Sequence, residues 1–339
     1  MNRAPLPVTG SNSGGERLDR FMARANATYY ATRDPFADFT TAPEISQAFG
    51  ECLGLWAAVA WEEAGRPRPT LLAEAGPGRG TLTADARRAI AAVAPDFAAA
   101  APLHLIETSP RLRAVQAATL GAAAIWHDRL ETLPDGALFL IANEFLDALP
   151  IRQFVRHGPD WAERFVCDGR FAEHKADPPD GLVGAEGAVV EYGEAAQSFV
   201  RALAARLARH GGAALLIDYA AEAANPAGSL QALRAGVPAE PLAAPGEADL
   251  TAHVDFAALA AVAREVGVAV HGPIPQGLFL TRLGLPQRVA RLAAGQAAPE
   301  AARLAAGARR LLAPYRMGVL FKVLVLCHPD APPPPGVAA

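Results

Sequence analysis

Glycine recurs at every second position in the segment 74–80, which reads EAGPGRG. A dinucleotide fingerprint would place glycine at position 81, where Thr81 stands, and the Gly-Lys-Ser/Thr end of a phosphate-binding loop is absent. Pro77 also removes one backbone N–H that a phosphate would need. The turn therefore favours a ligand without phosphate that approaches the backbone closely, and S-adenosylmethionine is the best candidate.

Acidic residues follow three later segments that read as β-strands. Glu107 ends the second strand, where its carboxylate can accept hydrogen bonds from both hydroxyls of a ribose. Asp128 follows the third strand and can accept from an adenine amino group, and Asn143-Glu144 ends the fourth. Open α/β sheets bind ligands at this carboxyl edge. The alternative is a tight strand–helix turn flanked by solvated acids, but acids at three successive strand ends favour a cofactor site.

The elements that must position these residues alternate between strand and helix. Strands are predicted at 70–74, 103–107, 123–126 and 137–142, with helices at 82–93 and 110–120. The strand at 137–142 is an unbroken apolar run, which is typical of a strand buried on both faces. This alternation predicts an α/β fold with a doubly wound parallel sheet.

The pattern changes near residue 150. The segments 152–155 and 161–171 read as antiparallel strands, with Asp168-Gly169 as a hairpin turn. The Pro- and Gly-rich segment 221–252 is predicted to be a long, functional loop. Asp255 is predicted to cap the helix that follows it.

Ahead of the sheet, one long helix is predicted over 44–64. The predicted organisation is a flexible tail (1–16), an N-terminal helical or lid segment (17–69), a cofactor-binding half (70–150), an insertion and substrate-side region with the fifth core strand near 214–218 (151–285), a C-terminal helix and closing strand (286–328) and a flexible tail (329–339).

Composition excludes several classes of protein. Hydrophobic residues make up 51% of the 339 residues and charged residues 19%, which suits a sizeable core. The 31 Lys and Arg and 35 Asp and Glu give a net charge of −4, which argues against a strongly basic nucleic-acid binder. Three cysteines without a CxxC pair and eight histidines without an HExxH motif predict no disulfide framework and no metal, in a reducing, cytoplasmic compartment. No run reaches the roughly 18 apolar residues of a membrane span, and the N terminus lacks the apolar run of a secretory signal.

Short motifs spread along the chain carry a family resemblance. They are DFTTAPEIS at 38–46, FGE at 49–51, EAGPGRG at 74–80, ETSP at 107–110, ANEFLDALP at 142–150, PGEADLTAHVDF at 245–256, PQG at 275–277, MG at 317–318 and FKV at 321–323. With them the chain resembles the MidA-like methyltransferases of bacteria and mitochondria over about residues 18–328. The mitochondrial member is a respiratory complex I assembly factor that methylates an arginine of a complex I subunit.

The resemblance implies a seven-stranded, doubly wound, Rossmann-like methyltransferase sheet with a smaller α+β insertion. It also implies S-adenosyl-L-methionine as the cofactor and arginine methylation of a protein, such as a respiratory complex I subunit. We expect no nucleic-acid partner and no membrane insertion, and we consider a homodimer.

The resemblance and the strand ends together nominate the site. The predicted cofactor-binding residues are Glu74, Gly76, Pro77, Gly78, Gly80, Glu107, Thr108, Asp128, Asn143, Thr40, Thr41 and Glu44. Glu144 is predicted to orient the acceptor guanidinium, with Asp147 assisting, because both follow the fourth strand. Substrate contacts are predicted at Asp218, Tyr219, Glu247 and His253.

Structural roles compete with several of these assignments. Asp147 can cap a turn while Glu144 pairs with an arginine such as Arg152, and Thr40 or Thr41 can cap the helix that follows. Asp218 and His253 also have structural alternatives.

The chain departs from the family pattern in three places. Thr28 precedes the tyrosine pair where the family has glycine, and the loop before Asp38 is shorter. The segment 228–242 lacks an aspartate and a histidine that the family carries, which puts the substrate-side loop in doubt. Two rival functions also stay open: methylation of a small molecule or another side chain, and a cofactor-binding assembly chaperone.

Overall fold

The computed structural model describes residues 8–9, 15–34, 40–121, 124–220 and 226–337. The strands are β1 (Val8–Thr9), β2 (Glu16–Arg17), β3 (Thr70–Ala75), β4 (Leu103–Ile106), β5 (Ala124–His127), β6 (Ala137–Asn143), β7 (Arg152–His157), β8 (Asp160–Cys167), β9 (Arg170–Lys175), β10 (Val189–Tyr192), β11 (Gly212–Tyr219), β12 (Gln231–Arg234), β13 (Val237–Ala239), β14 (Asp249–Thr251), β15 (Ala269–Pro275) and β16 (Phe321–Cys327). The helices are α1 (Leu18–Thr32), α2 (Ala42–Ile45), α3 (Gln47–Glu63), α4 (Thr81–Val93), α5 (Pro95–Ala100), α6 (Pro110–Leu120), α7 (Glu194–His210), α8 (Phe256–Val266), α9 (Gln276–Arg282), α10 (Leu285–Ala293) and α11 (Ala298–Leu312). The described residues also form a 3-10 turn (Leu130–Thr132) and a π-type turn (Pro314–Gly318).

Two compact units share the chain, and each is built from three separate segments. The sheet unit comprises Thr40–Leu146, Gln197–Ala220 and Asp255–Ala339, and the second unit comprises Met1–Phe39, Asp147–Ala196 and Ala221–Val254. The predicted segment 17–69 is thus shared between both units, and most of α7 belongs to the sheet unit.

A seven-stranded sheet forms the core of the sheet unit, which confirms the predicted fold. Its strand order is β15-β16-β11-β6-β3-β4-β5, and all its pairings are parallel except those of β16. The strands β3, β4 and β6 are buried at every position, which explains why their sequences are mainly apolar. The sequence patterns did not predict β15.

Strand register brings the predicted site residues to one edge of this sheet. Ladder pairs place Ala75 beside Ile106 and Ala142, and Ile106 beside His127. The residues that come next along these four strands are Gly76, Glu107, Asp128 and Asn143. Parallel strands present their carboxyl ends together, so this row is where a ligand of an open α/β sheet binds.

The long helix predicted over 44–64 is wrong as a single element. Ser46 adopts an extended conformation, with φ −158° and ψ 123°, and it separates α2 from α3. The α3 helix then packs closely on α4, because a β-carbon at Gly54 would lie 2.6 Å from the Cα of Ala86. The predicted cap at Asp255 is confirmed, since its side chain accepts from the N–H of Ala258.

Antiparallel strands dominate the second unit. One sheet has the order β1-β9-β8-β7-β10, with β2 also paired to β8. The hairpin between β8 and β9 turns at Asp168 and Gly169, whose φ angles of 48° and 70° suit a type I′ turn. The prediction that 221–252 is a loop is wrong for the residues described from 226 onward, because β12, β13 and β14 form a small sheet there. These strands are short and contain few large apolar residues, so their sequences show no alternation of apolar and polar positions.

One buried amide joins all three segments of the second unit. Asn26 on α1 donates to the carbonyls of Ala148 at 3.0 Å and Leu250 at 2.8 Å. Its oxygen accepts from the N–H of Leu250 at 3.1 Å. This side chain therefore fastens the helix to both of the later segments.

The predicted tails differ in what the structure describes. Most of the 1–16 tail lies outside the described residues. The 329–339 tail is described as far as residue 337, and it contacts α9, where a β-carbon at Gly336 would meet the ring of Phe279 at 2.7 Å.

Candidate cofactor and active site

The turn between β3 and α4 has the backbone that its glycines predict. Gly76, Gly78 and Gly80 have φ angles of 66°, 53° and 82°, in the left-handed region that residues with a β-carbon avoid. A β-carbon at Gly76 would also lie 2.8 Å from the ring of Phe145. Both the conformation and the packing therefore require glycine.

Glu74 precedes this turn and is buried, with 5% of its surface exposed. The hydroxyl of Thr83, in the first turn of α4, donates to its carboxylate. Burial raises the pKa of Glu74 to about 7, and the hydrogen bonds from Thr83 oppose that rise. The carboxylate is thus poised to ionise when a cation approaches it.

Glu107 lies at the end of β4, at the predicted ribose position. Its side chain is mostly buried, and its Oε1 accepts from the N–H of Ser109 at 2.8 Å. Burial raises the pKa of Glu107, and the hydrogen bonds from Ser109 and Gln116 lower it. Thr108, the next predicted residue, is exposed at the same edge.

Asp128 follows β5 and is 78% exposed. Arg113 on α6 pairs with its carboxylate at 2.7 Å and also donates to the backbone carbonyl of Glu107 at 2.8 Å. One guanidinium therefore connects the two acids that were predicted to hold the ribose and the adenine.

Asn143 and Glu144 end β6, beside the glycine turn. Glu144 Oε1 accepts from the N–H of Ala42 at 2.8 Å and from the amide of Asn143 at 3.1 Å. The Asn143 oxygen, although buried, has no hydrogen-bond partner among the described residues. A buried acceptor without a donor, at a ligand-binding edge, fits the ammonium group of S-adenosylmethionine.

Asp218, at the end of β11, shapes the turn that follows Glu144. It is fully buried, and its Oδ2 accepts from the N–H groups of Phe145 at 3.1 Å and Leu146 at 2.9 Å. Its Oδ1 accepts from the N–H of Tyr219 at 2.9 Å. Glu144 has a φ of 50°, which is unusual for a residue other than glycine. The Asp218 carboxylate therefore holds a strained turn, which is the structural alternative considered for it.

The segment 40–45 also lies at this edge. The carboxylate of Glu44 accepts from the hydroxyl of Thr81 at 2.5 Å, directly after the glycine turn. Thr41 precedes α2 without making a side-chain cap, and Thr40 is exposed. Hydrogen bonds from Ala42 and to Glu44 thus tie α2 to both β6 and the turn.

Three predicted residues belong to the second unit. The backbone carbonyl of Asp147 accepts from Ala252, and Glu247 pairs with Arg234 at 2.7 Å. His253 donates its N–H to the hydroxyl of Ser229 at 2.7 Å, and burial lowers the pKa of the His253 ring. In the sheet unit, the ring of Tyr219 lies 5.9 Å from that of Phe321.

Arg152 was suggested as a partner of Glu144, but it pairs with other carboxylates. That guanidinium, in the second unit, pairs with Glu163 at 2.7 Å and with Glu194 at 3.6 Å.

The sequence patterns did not single out Gln116 or Arg113. Both lie on α6, where their spacing of three residues places them on one face toward the strand ends. That spacing was the signal available, but it is common in helices. Among the residues that the structure describes, no cluster of three or more His, Cys, Asp or Glu side chains is arranged to hold a metal ion. No helix within the described ranges is long and apolar enough to cross a membrane.

Comparisons with known proteins agree with this geometry. Residues 52–274 match the family described as "Putative S-adenosyl-L-methionine-dependent methyltransferase". The chain is 32% identical to a Drosophila melanogaster protein named Protein arginine methyltransferase NDUFAF7 homolog, mitochondrial, covering 96% of this chain and 83% of that protein. The Homo sapiens protein named Protein arginine methyltransferase NDUFAF7, mitochondrial, is 31% identical, covering 95% and 81%. A crystal structure of a Burkholderia thailandensis protein bound to S-adenosyl-homocysteine is 27% identical, with a TM-score of 0.75 over 96% of this chain and 89% of that one.

Proposed function

Because the chain belongs to this family of S-adenosyl-L-methionine-dependent methyltransferases, we propose that it methylates an arginine side chain of a protein. The observation that carries the proposal is Glu144, a carboxylate held in a strained backbone conformation beside the glycine turn. Relatives named as protein arginine methyltransferases support the same acceptor.

Glu144 suits the demands of this acceptor. The bound cofactor supplies a methyl group on a sulfonium, which is already a good leaving group. A guanidinium is charged at all ordinary pH values, so a carboxylate must orient it and balance its charge. The hydrogen bonds that Glu144 accepts from Ala42 and Asn143 both use Oε1, and we assign Oε2 to the acceptor. Burial raises the pKa of Glu144, while the same two donors lower it and favour the ionised form.

We assign the cofactor to the carboxyl edge of the sheet. The residues proposed to hold it are Glu74, Gly76, Pro77, Gly78, Gly80, Glu107, Thr108, Asp128 and Asn143, with Thr40, Thr41 and Glu44 beside the turn. In this arrangement the glycine turn receives the methionine part, Glu107 the ribose and Asp128 the adenine. Asp147 as an assisting carboxylate, and Asp218, Tyr219, Glu247 and His253 as substrate contacts, stay predictions.

The proposal extends to the identity of the acceptor protein, the cellular location and the oligomeric state. We propose a respiratory complex I subunit as the acceptor, since the family resemblance implies one. A cytoplasmic location and a homodimer are also proposals, and the relatives named above are mitochondrial proteins.

A charge-removing substitution tests the role of Glu144. In Glu144→Gln the shape is kept, and we expect the affinity for S-adenosyl-homocysteine to stay within a few-fold of wild type by calorimetry. Methyl transfer should fall at least ~10²-fold, as expected when a group that acts on transition-state charge is removed. Transfer is measured with radiolabelled cofactor and the lysate of cells that lack the enzyme, and exposed Glu131→Gln is the control.

Two results would overturn this assignment. Normal turnover by Glu144→Gln would show that the arginine-type site is misplaced. Loss of S-adenosyl-homocysteine binding by this variant would show that Glu144 contacts the cofactor and not the acceptor. A labelled small molecule in place of a labelled protein would favour the rival substrate class, and tight binding without any transfer would favour an assembly chaperone.

A further inference from the structure

Gln116 on α6 is fully buried below the glycine turn, and every polar atom of its side chain is engaged. We propose that Gln116 is a positioning residue that presets the Glu107 carboxylate for the two ribose hydroxyls of the cofactor and ties the glycine turn to it. The inference rests on the cofactor site assigned above.

The indole of Trp126 determines which way the Gln116 amide points. An indole N–H can only donate, and it lies 2.8 Å from Gln116 Oε1. The amide nitrogen therefore faces the opposite side, where it donates to the carbonyl of Gly78 at 2.8 Å and to Glu107 Oε2 at 3.1 Å. Both N–H groups and the oxygen thus have partners, and among uncharged side chains only the shorter asparagine offers the same set of donors and acceptor.

Three pieces of the cofactor edge meet at this one amide. Gly78 belongs to the turn after β3, Glu107 directly follows β4 and Trp126 lies on β5. The helix itself also lies against the turn, because a β-carbon at Gly80 would lie 3.2 Å from Leu120 and 3.8 Å from the Cα of Gln116. A shift of Gln116 would therefore move the turn and the carboxylate together.

The contacts of Glu107 leave room for the ribose diol. Oε2 accepts from Gln116 at 3.1 Å and Oε1 accepts from the N–H of Ser109 at 2.8 Å, and the backbone of Thr108 also helps to hold the carboxylate. A carboxylate oxygen can accept more than one hydrogen bond, so each has capacity for one hydroxyl. Because the carboxylate is already fixed, binding does not have to order it. The site should therefore discriminate strongly between ribose and 2′-deoxyribose.

A comparison of ribose and 2′-deoxyribose ligands can distinguish a positioning role of Gln116 from a general loss of structure. The probes are S-adenosyl-homocysteine and its 2′-deoxyribose analogue, and the measurement is calorimetric affinity. In Gln116→Met, which keeps length but removes all three hydrogen bonds, we expect S-adenosyl-homocysteine to bind at least ~10-fold more weakly, the loss expected for one hydrogen bond to a charged group. The ratio of the two affinities should fall at least ~5-fold, because the deoxy analogue depends less on the carboxylate. The control is Gln287→Met, at an exposed position on α10.

A structural role alone would weaken both ligands equally and leave their ratio unchanged, which would overturn the proposal. Binding by Gln116→Met within two-fold of wild type would overturn it as well. If circular dichroism shows that this variant does not fold, Trp126→Phe is tested instead. This substitution keeps Gln116 but removes the indole N–H that fixes the direction of its amide. The ratio of the affinities for S-adenosyl-homocysteine and its 2′-deoxyribose analogue should again fall. An unchanged ratio in that folded variant refutes the inference. If wild type itself binds no S-adenosyl-homocysteine, the cofactor site is wrong, whereas binding with normal discrimination in the variants refutes only the role of Gln116.

Discussion

Glu74→Gln should raise the free energy of unfolding, relative to wild type, more at neutral and alkaline pH than at acidic pH. Burial raises the pKa of Glu74 from 4.5 to about 7, so between these values the native state holds a proton that the unfolded chain has lost. The free energy of unfolding must then fall as pH rises: the contribution of this group is fully present below pH 4.5 and is lost as pH rises through 7. At about 1.4 kcal/mol per pKa unit, the loss between pH 5.0 and 7.5 is about 2 kcal/mol.

Urea unfolding of wild type and Glu74→Gln at pH 5.0 and 7.5 measures this difference. The variant keeps an oxygen that can accept from Thr83 but cannot ionise, so its advantage over wild type should grow by about 2 kcal/mol between the two pH values. The exposed Glu131→Gln variant, at an acid of the same type, should show no such growth. If the difference between Glu74→Gln and wild type is the same at both pH values, Glu74 is not a buried acid with a raised pKa, and the reasoning is refuted.

Three further predictions concern the same edge of the sheet. Asp218→Asn should unfold about 1–3 kcal/mol more easily in urea, because an amide cannot accept from all three N–H groups that the carboxylate serves; unchanged stability would show that the strained turn does not need this clamp. Gly78→Ala and Gly121→Ala each place a β-carbon at a positive φ, of 53° and 69°, but only the first should lose S-adenosyl-homocysteine binding by calorimetry, since Gly78 lies in the turn assigned to the cofactor whereas Gly121 follows α6. Equal loss in both would assign the effect to backbone strain alone. Hydrogen exchange of the α2 amides should slow when S-adenosyl-homocysteine is added, and equal exchange rates would argue against a lid at residues 40–46.

The cofactor side of the site could be read from the sequence because its signals are local. Each parallel strand ends where an apolar run meets a glycine or an acid, as at Gly76 and Glu107. Register then aligns those ends without any further information. The predicted row of Gly76, Glu107, Asp128 and Asn143 was therefore brought together as expected.

The rest depended on contacts between residues distant in the chain. The positioning contacts of Asp218 are an example, because its Oδ2 accepts from a turn about 70 residues earlier in the chain. Ser46 interrupts a run of helical periodicity that continues on both sides of it, so the break left no trace in the apolar spacing. In 226–251, β12 reads QALR and β14 reads DLT, and strands of three or four residues are too short to show an alternation of apolar and polar positions.

The hydrogen bonds from Asn26 to two later segments affect how the protein folds during synthesis and how it can be truncated. Its partners Ala148 and Leu250 lie 122 and 224 residues away. During synthesis from the N terminus, the helix that carries Asn26 must wait for most of the chain before its unit can close. Neither unit is therefore a contiguous piece that could be expressed by truncation. A truncated chain that begins at residue 40 would leave the carbonyl of Leu250 and its N–H without their buried partner, and we expect it to aggregate rather than yield an independent catalytic domain.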